Sequence, residues 1–151
     1  MSISSATRYL TSLCLFVIAG CASTGAPHPM EQNLNHFQFN AHLKNELVLS
    51  GHLPDEAAQT SLINLAASIF PNTEIVSDMD ANGASVSGWH RTTRWGLSSL
   101  SKLEEGKLVI VDHTLHLEGL AAKAEIKAAV EAATIGLKTE IEHSVVISVV
   151  E

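Results

Sequence analysis

The sequence predicts an α/β (α+β) sandwich: two related units, each of helix, strand, strand, helix and strand, with the helices packed on a mixed β-sheet. Three observations predict it. Leu47-Val48-Leu49-Ser50-Gly51 matches Leu115-His116-Leu117-Glu118-Gly119 at an offset of 68 residues. The same offset pairs Ala58 with Ile126, Leu62 with Val130, Leu65 with Ala133 and Ile69 with Leu137, and each series forms one apolar stripe of a helix. Ahead of each repeated strand, apolar residues also alternate as in a hairpin with one buried face. Chance agreement among leucines and alanines would explain the identities alone; the shared period and order favour duplication.

Residues 1–20 come first and read as an export signal, with Arg8 in a short polar start and an apolar run over Leu10–Ile18. That run falls far short of the roughly 20 apolar residues that cross a bilayer as a helix. Val17-Ile18-Ala19-Gly20-Cys21 resembles the lipobox of bacterial lipoproteins. An ordinary cleavage site that happens to precede a cysteine is the plainer alternative. The resemblance implies cleavage before Cys21 and acylation of its sulfur, with palmitate-class chains that anchor stably when two or more are present. Ala22 and Ser23 lack the aspartate that retains such proteins in the inner membrane, so the resemblance implies the periplasmic face of the outer membrane. Residues 21–35, rich in Ser, Thr, Gly and Pro from Ser23 to Pro29, read as a tether.

The first unit spans residues 36–80, and its leading helix is weak or absent. Phe37, Phe39, Ala41 and Leu43 should share a face with Leu47 and Leu49. A two-residue turn would put the two runs out of phase, so the spacing predicts a three-residue loop, Lys44-Asn45-Glu46. Pro54-Asp55-Glu56 opens a helix with a preset dihedral and two carboxylates at its positive end, and Pro71 stops it. Thr73–Ser77 then reads as extended. The stretch from Asp78 to Gly88 carries the linker, placed at 81–87.

The second unit spans 88–151. A helix over Gly88–Glu104 places Trp89, Thr93, Gly96, Leu100 and Leu103 on one side. A two-residue turn at Asp112-His113 pairs Ile110 with Leu115 and Leu108 with Leu117. A second helix runs from about Ala121 to Ile135 and ends at Gly136, and Thr139–Val149 is valine- and isoleucine-rich, as strands are.

Strand-glycine-helix-strand units of this length in an exported chain resemble BON domains. The likeness is carried by Leu47 through Glu56, by Trp89, Leu97, Leu100 and Leu103, by Glu105-Gly106-Lys107-Leu108, and by Leu115 through Gly119. It covers roughly residues 37–149. It is nearest to the tandem BON-like region of outer-membrane-protein-A-like envelope proteins. The resemblance implies a non-enzymatic domain that attaches to membranes by contacting phospholipid. In those proteins a peptidoglycan-binding domain follows; this sequence ends at Glu151, so cell-wall anchoring by such a domain is not implied. Gly51 and Gly119, the glycines most characteristic of the likeness, read as structural, serving a tight turn or close backbone packing.

The residues give little sign of catalysis. The sequence has no glycine-rich phosphate loop, serine nucleophile motif or paired-cysteine site. His113 and His116 flank a bend near Asp112, but strand alternation points neighbours apart; His28, His36, His42 and His52 are scattered. Asp78 and Asp80 read as solvated. No catalytic residue, cofactor or metal is therefore expected. Residues 21–151 hold eight basic against sixteen acidic side chains, a formal charge of −8, which argues against nucleic acid. Any attraction to anionic lipid must come from a local patch. The candidate is Trp95, placed opposite Trp89 and beside Arg91, Ser98 and Lys102, with Arg91 four residues away and able to stack on the indole. Such a surface suits phospholipid headgroups or an envelope protein partner. Alternatively, Trp95 fills a groove against the other unit and the cations merely solvate the helix.

Overall fold

Alternation of apolar and polar side chains from Phe37 to Leu43 produces the first strand, β1 (Gln38–Leu43), and Leu47 and Leu49 bury the matching side of β2 (Leu47–His52). The computed structural model describes residues 36–135, 137 and 141–150, within a compact unit that runs from Glu31. The expected signal, Cys21, the tether and Gly136 lie outside the described residues. In the hairpin, Leu43 faces Leu47 across Lys44-Asn45-Glu46, the predicted three-residue loop. All six apolar side chains therefore fall on one face.

Helix α1 (Glu56–Ile69) starts at Asp55, which is the N-cap itself: its carboxylate accepts from the Ala58 backbone N–H at 2.7 Å. Pro54 thus sits one residue before the cap, not in the first turn. Ala58, Leu62 and Ala66 are buried, with Leu65 and Ile69 packed beside them, and the helix ends at Ile69, with Phe70 as its C-cap directly before Pro71. Strand β3 (Ile75–Asp80) pairs in parallel with β2 along its whole length, Leu47 opposite Ile75 through His52 opposite Asp80. It extends past the predicted Ser77 because ladder pairing holds Asp78 and Asp80 in place although their composition reads as linker.

Helix α2 (Trp89–Leu100) leads the second unit and is shorter than expected; Ser101 to Glu104 form turns before β4 (Glu105–Val111). Leu103 is still buried, its methyl lying over Gly106 and Gly119. Strand β5 (Thr114–Ala121) pairs with β4 as predicted, Ile110 opposite Leu115 and Leu108 opposite Leu117. It takes Leu120 and Ala121, which pair with Ser148 and Val149, so α3 (Ala124–Ile135) begins three residues later than its periodicity suggests. Strand β6 (Glu142–Val149) completes the unit.

Both units join one mixed sheet of order β3-β2-β1-β4-β5-β6. The seam is the antiparallel pairing of β1 with β4, with Phe39 opposite Ile110 and Ala41 opposite Leu108. The three helices cover one face, and between the layers lies a single apolar cluster that includes Phe37, Leu49, Leu62, Leu97, Leu108, Leu117 and Val130. This is the α+β two-layer arrangement expected from the pattern. No helix among the described residues is long and apolar enough to cross a membrane.

Gly51 sits inside β2 at φ +135°, and a Cβ there would lie 2.1 Å from the Gln38 carbonyl oxygen of β1. Gly119 faces Gly106 across the β4–β5 ladder, and a Cβ on it would meet the Glu105 carbonyl oxygen at 2.6 Å. Gly88 also has positive φ, but nothing stands within 4 Å of its missing Cβ. Gly51→Ala should therefore destabilise by about 2–4 kcal/mol, through strain plus a backbone clash, and Gly88→Ala by only about 1 kcal/mol. Urea unfolding of both variants checks this; equal losses would count against the steric reading of Gly51.

Candidate interaction surface

Of the surfaces left after the core is closed, two carry candidate residues: the outer side of α2 and the uncovered face of the sheet. On α2, Trp89, Thr93, Gly96, Leu97 and Leu100 turn inward. Gly96 permits that close approach, since a Cβ there would fall 2.5 Å from a Leu108 methyl. The opposite side is then fixed by helical geometry and carries Arg91, Arg94, Ser98 and, just past the helix end, Lys102. Arg91, Arg94 and Lys102 are all exposed, and none of them makes an ion pair among the described residues. The helix contains no acidic residue, whereas α1 begins with Glu56 and α3 carries Glu125 and Glu131.

Trp95 stands on the shoulder between these two sides. It is half-buried and packs against the core cluster, while its indole Nε1 is shut off from solvent without an acceptor among the described residues. A buried donor left unpaired costs about 1–3 kcal/mol. The Thr93 hydroxyl, deeper under the same helix, is also unpaired. The ring contacts of the described residues involve Trp89 instead: it lies 5.4 Å from Phe37 and is stacked by His90 at 3.5 Å between centroids. Arg91 does not stack on Trp95. The structure thus places Arg91 and Lys102 on one exposed side with Trp95 at its border. It adds Arg94, which the sequence signals by its spacing of three from Arg91.

The uncovered face is built by the alternate side chains of the same strands. Register lines up Val76, Val48, His42, Lys107, Glu118 and Val146 across all six strands. A shallow groove of about 590 Å³ runs along Asn40, His42, Val48, Ser50 and Lys107. His116 lies 3.4 Å from Glu118 on this face, and His52 Nδ1 lies 3.0 Å from Asn82 Oδ1. His113 is exposed in the β4–β5 turn, apart from them. Among the described residues no three His, Cys, Asp or Glu side chains converge as metal ligands would.

Where the chain enters the domain, the start of β1 is latched to the β4–β5 turn. Asp112 occupies the left-handed region at φ 48°, as two-residue hairpin turns require. Its N–H donates to the Phe37 carbonyl at 2.9 Å, and its carboxylate accepts from the Phe37 N–H at 3.0 Å and lies 2.5 Å from His36 Nδ1. The His36 hydrogen bond is the main reason the Asp112 carboxyl is held below its ordinary value. Desolvation opposes it, and the Phe37 N–H and the nearby charges of His36 and His113 add to it.

Residues 45–83, which cover β2, α1 and β3, match the family model of the BON-like domain. The first unit is therefore BON-like, a type of domain associated generally with the cell envelope. The second unit repeats the same hairpin, helix and parallel strand. No curated protein matches the chain.

A depressed carboxylate pKa means that the latch stabilises the fold above the unfolded value of 3.8 and is lost as pH falls through the lower folded value. Asp112→Asn should therefore be less stable than wild type at neutral pH, and the gap should shrink as the pH drops below that range. Unfolding curves at a series of pH values test this, and a constant gap would remove the latch as its cause.

Proposed function

We propose that this is a lipid-anchored, non-enzymatic protein of the bacterial envelope. On this reading, acyl chains on Cys21 hold it at the periplasmic face of the outer membrane. Two BON-like units in tandem then bring the exposed side of α2 against phospholipid headgroups. The observation that carries the reading is the charge on α2. In a domain with twice as many acids as bases, this one helix gathers Arg91 and Arg94, with Lys102 just beyond it, and none of the three makes an ion pair among the described residues. Trp95 at the border supplies the half-exposed amphipathic ring that suits a headgroup region. The anchor would bring this side close to lipid, so a weak electrostatic contact suffices.

Each cation near an anionic surface contributes about 1 kcal/mol, screened by salt. Replacing Arg91, Arg94 and Lys102 together with Ala should weaken binding of residues 31–151 to phosphatidylglycerol vesicles by roughly 100-fold at low salt. Trp95→Ala should weaken it further at any salt. Sedimentation with vesicles measures both, and undiminished binding by the triple variant would sink the headgroup contact. The open groove on the sheet supports a second reading, an adaptor that docks another envelope protein there while the acyl chains supply location alone. Loss of a crosslinked partner on His42→Ala and Lys107→Ala, with vesicle binding absent in the wild type, would select it.

The anchor has its own test. Intact mass of the chain from a Gram-negative host's membrane fraction should begin at Cys21 and carry acyl groups, and Cys21→Ala should lack them. An unmodified chain in the soluble periplasm would remove the lipoprotein reading and leave the α2 contact to be judged separately.

A further inference from the structure

The two edges of the sheet are not alike. On β3 the carbonyls of Glu74 and Asp80 accept from Leu47 and Leu53 of β2, so by alternation Ile75, Ser77 and Met79 turn their backbone groups to the edge. That edge is blunted. The Gln59 side chain of α1 donates to the Met79 carbonyl at 2.6 Å, and Asp78 and Asp80 line the strand with negative charge. At the two ends of β6 the Glu142 and Val150 N–H groups donate inward to the carbonyls of His113, in the turn before β5, and Ala121, at the end of β5, so His143, Val145, Ile147 and Val149 present their N–H and C=O groups outward. Among the described residues no side chain caps them. Lys127, the α3 residue at the Gln59 position of the repeat, lies 3.9 Å from Glu131 instead. The three most exposed large apolar residues of the described chain, Ile135 at 84%, Val146 at 56% and Val150 at 46%, stand on α3 and at β6.

We infer that the β6 edge pairs with β6 of a second copy of this chain, antiparallel about a two-fold axis at Val146. Self-complementarity identifies the occupant. In that register His143 faces Val149 of the other copy and Val145 faces Ile147, so all four outward-facing residues of each strand find backbone partners. On the uncovered face Val146 covers its own mate, and Ser144 meets Ser148. The strand's only ionisable residues are Glu142 and His143 at its start. Antiparallel pairing sends the two Glu142 carboxylates to opposite ends, where parallel pairing would set them side by side. The blunted β3 edge stops further addition, so the contact closes as a dimer and does not grow into a fibre.

Val146→Cys in the full chain tests this in the membrane where it resides. A non-hydrogen-bonded antiparallel pair brings Cα atoms to about 4.5 Å, within disulfide range. Mild oxidation should shift the Val146→Cys chain to twice the monomer mass, whereas the wild type, whose mature chain has no free thiol once Cys21 is acylated, should not shift. Glu142→Cys, whose mate would lie at the far end of the contact, should not shift. Adding Val146→Lys in place of the cysteine should abolish co-purification of two differently tagged copies while leaving the circular dichroism of the fold unchanged. A folded Val146→Cys chain that gives no dimer would overturn the proposal, as would equal crosslinking at residue 142. A crosslink to a different protein, or one confined within a single copy, would overturn it too.

Discussion

The fold depends on the seam between β1 and β4. Each unit alone is a three-stranded piece with its first strand at an edge, too small to bury the apolar side of its hairpin. Antiparallel pairing of the two first strands removes both edges at once and aligns Phe39 with Ile110 and Ala41 with Leu108 on the helical side. Helix α2 then lies on β4 and β5 beside this seam, because Gly96 lets it approach Leu108, and Phe37 meets Trp89 at its other end. A side chain at position 96 would lift α2 and open the core at the point where the two units share it.

That seating fixes what α2 shows to the outside. Burial of Trp89, Thr93, Gly96, Leu97 and Leu100 leaves no freedom in the helix's rotation, so Arg91, Arg94 and Lys102 must point away from the sheet. Trp95 falls between the two sides and cannot satisfy either fully: its ring gains contact with the core, and its Nε1 loses water without gaining an acceptor among the described residues. The cationic surface is therefore a consequence of the packing of the seam and not an independent feature grafted onto it.

Much of this was legible in the sequence wherever the signal was periodic. The hairpin registers followed from phase alone: a loop of the wrong length would have turned Leu47 and Leu49 to solvent. The stripe of α1 followed from the same argument with a different period, and that of α3 in part: Ile126 and Val130 face the core, but the helix ends at Ile135, so Leu137 is buried beyond it and Thr134 takes the last inward position. What the sequence hid was set by distant partners. Asp78 and Asp80 read as linker, yet they are strand because Ser50 and His52 pair with them. Leu120 and Ala121 continue an apolar helical pattern, yet Ser148 and Val149 claim them for the sheet. On the candidate surface, Arg91 and Lys102 were readable from helical spacing. The tilt that leaves Trp95 half-buried was not, because it depends on how closely Gly96 meets Leu108.

Two units of the same order, hairpin then helix then parallel strand, give a near-symmetric sheet, and the two halves diverge at its edges. At the same position of the repeat, Gln59 reaches the edge strand and Lys127 does not. An amide presents a donor on a side chain short enough to stay near the helix, whereas a lysine prefers solvent and a carboxylate on its own helix. The edge strands diverge in step, acidic in β3 and aliphatic in β6. One substitution in a helix and a few in a strand thus separate a sealed edge from an open one without touching the core. A two-fold axis through the open edge would run perpendicular to the sheet, which keeps both helical layers on the same side. Two α2 surfaces would then face one membrane together, and each could bind weakly while the pair held firmly.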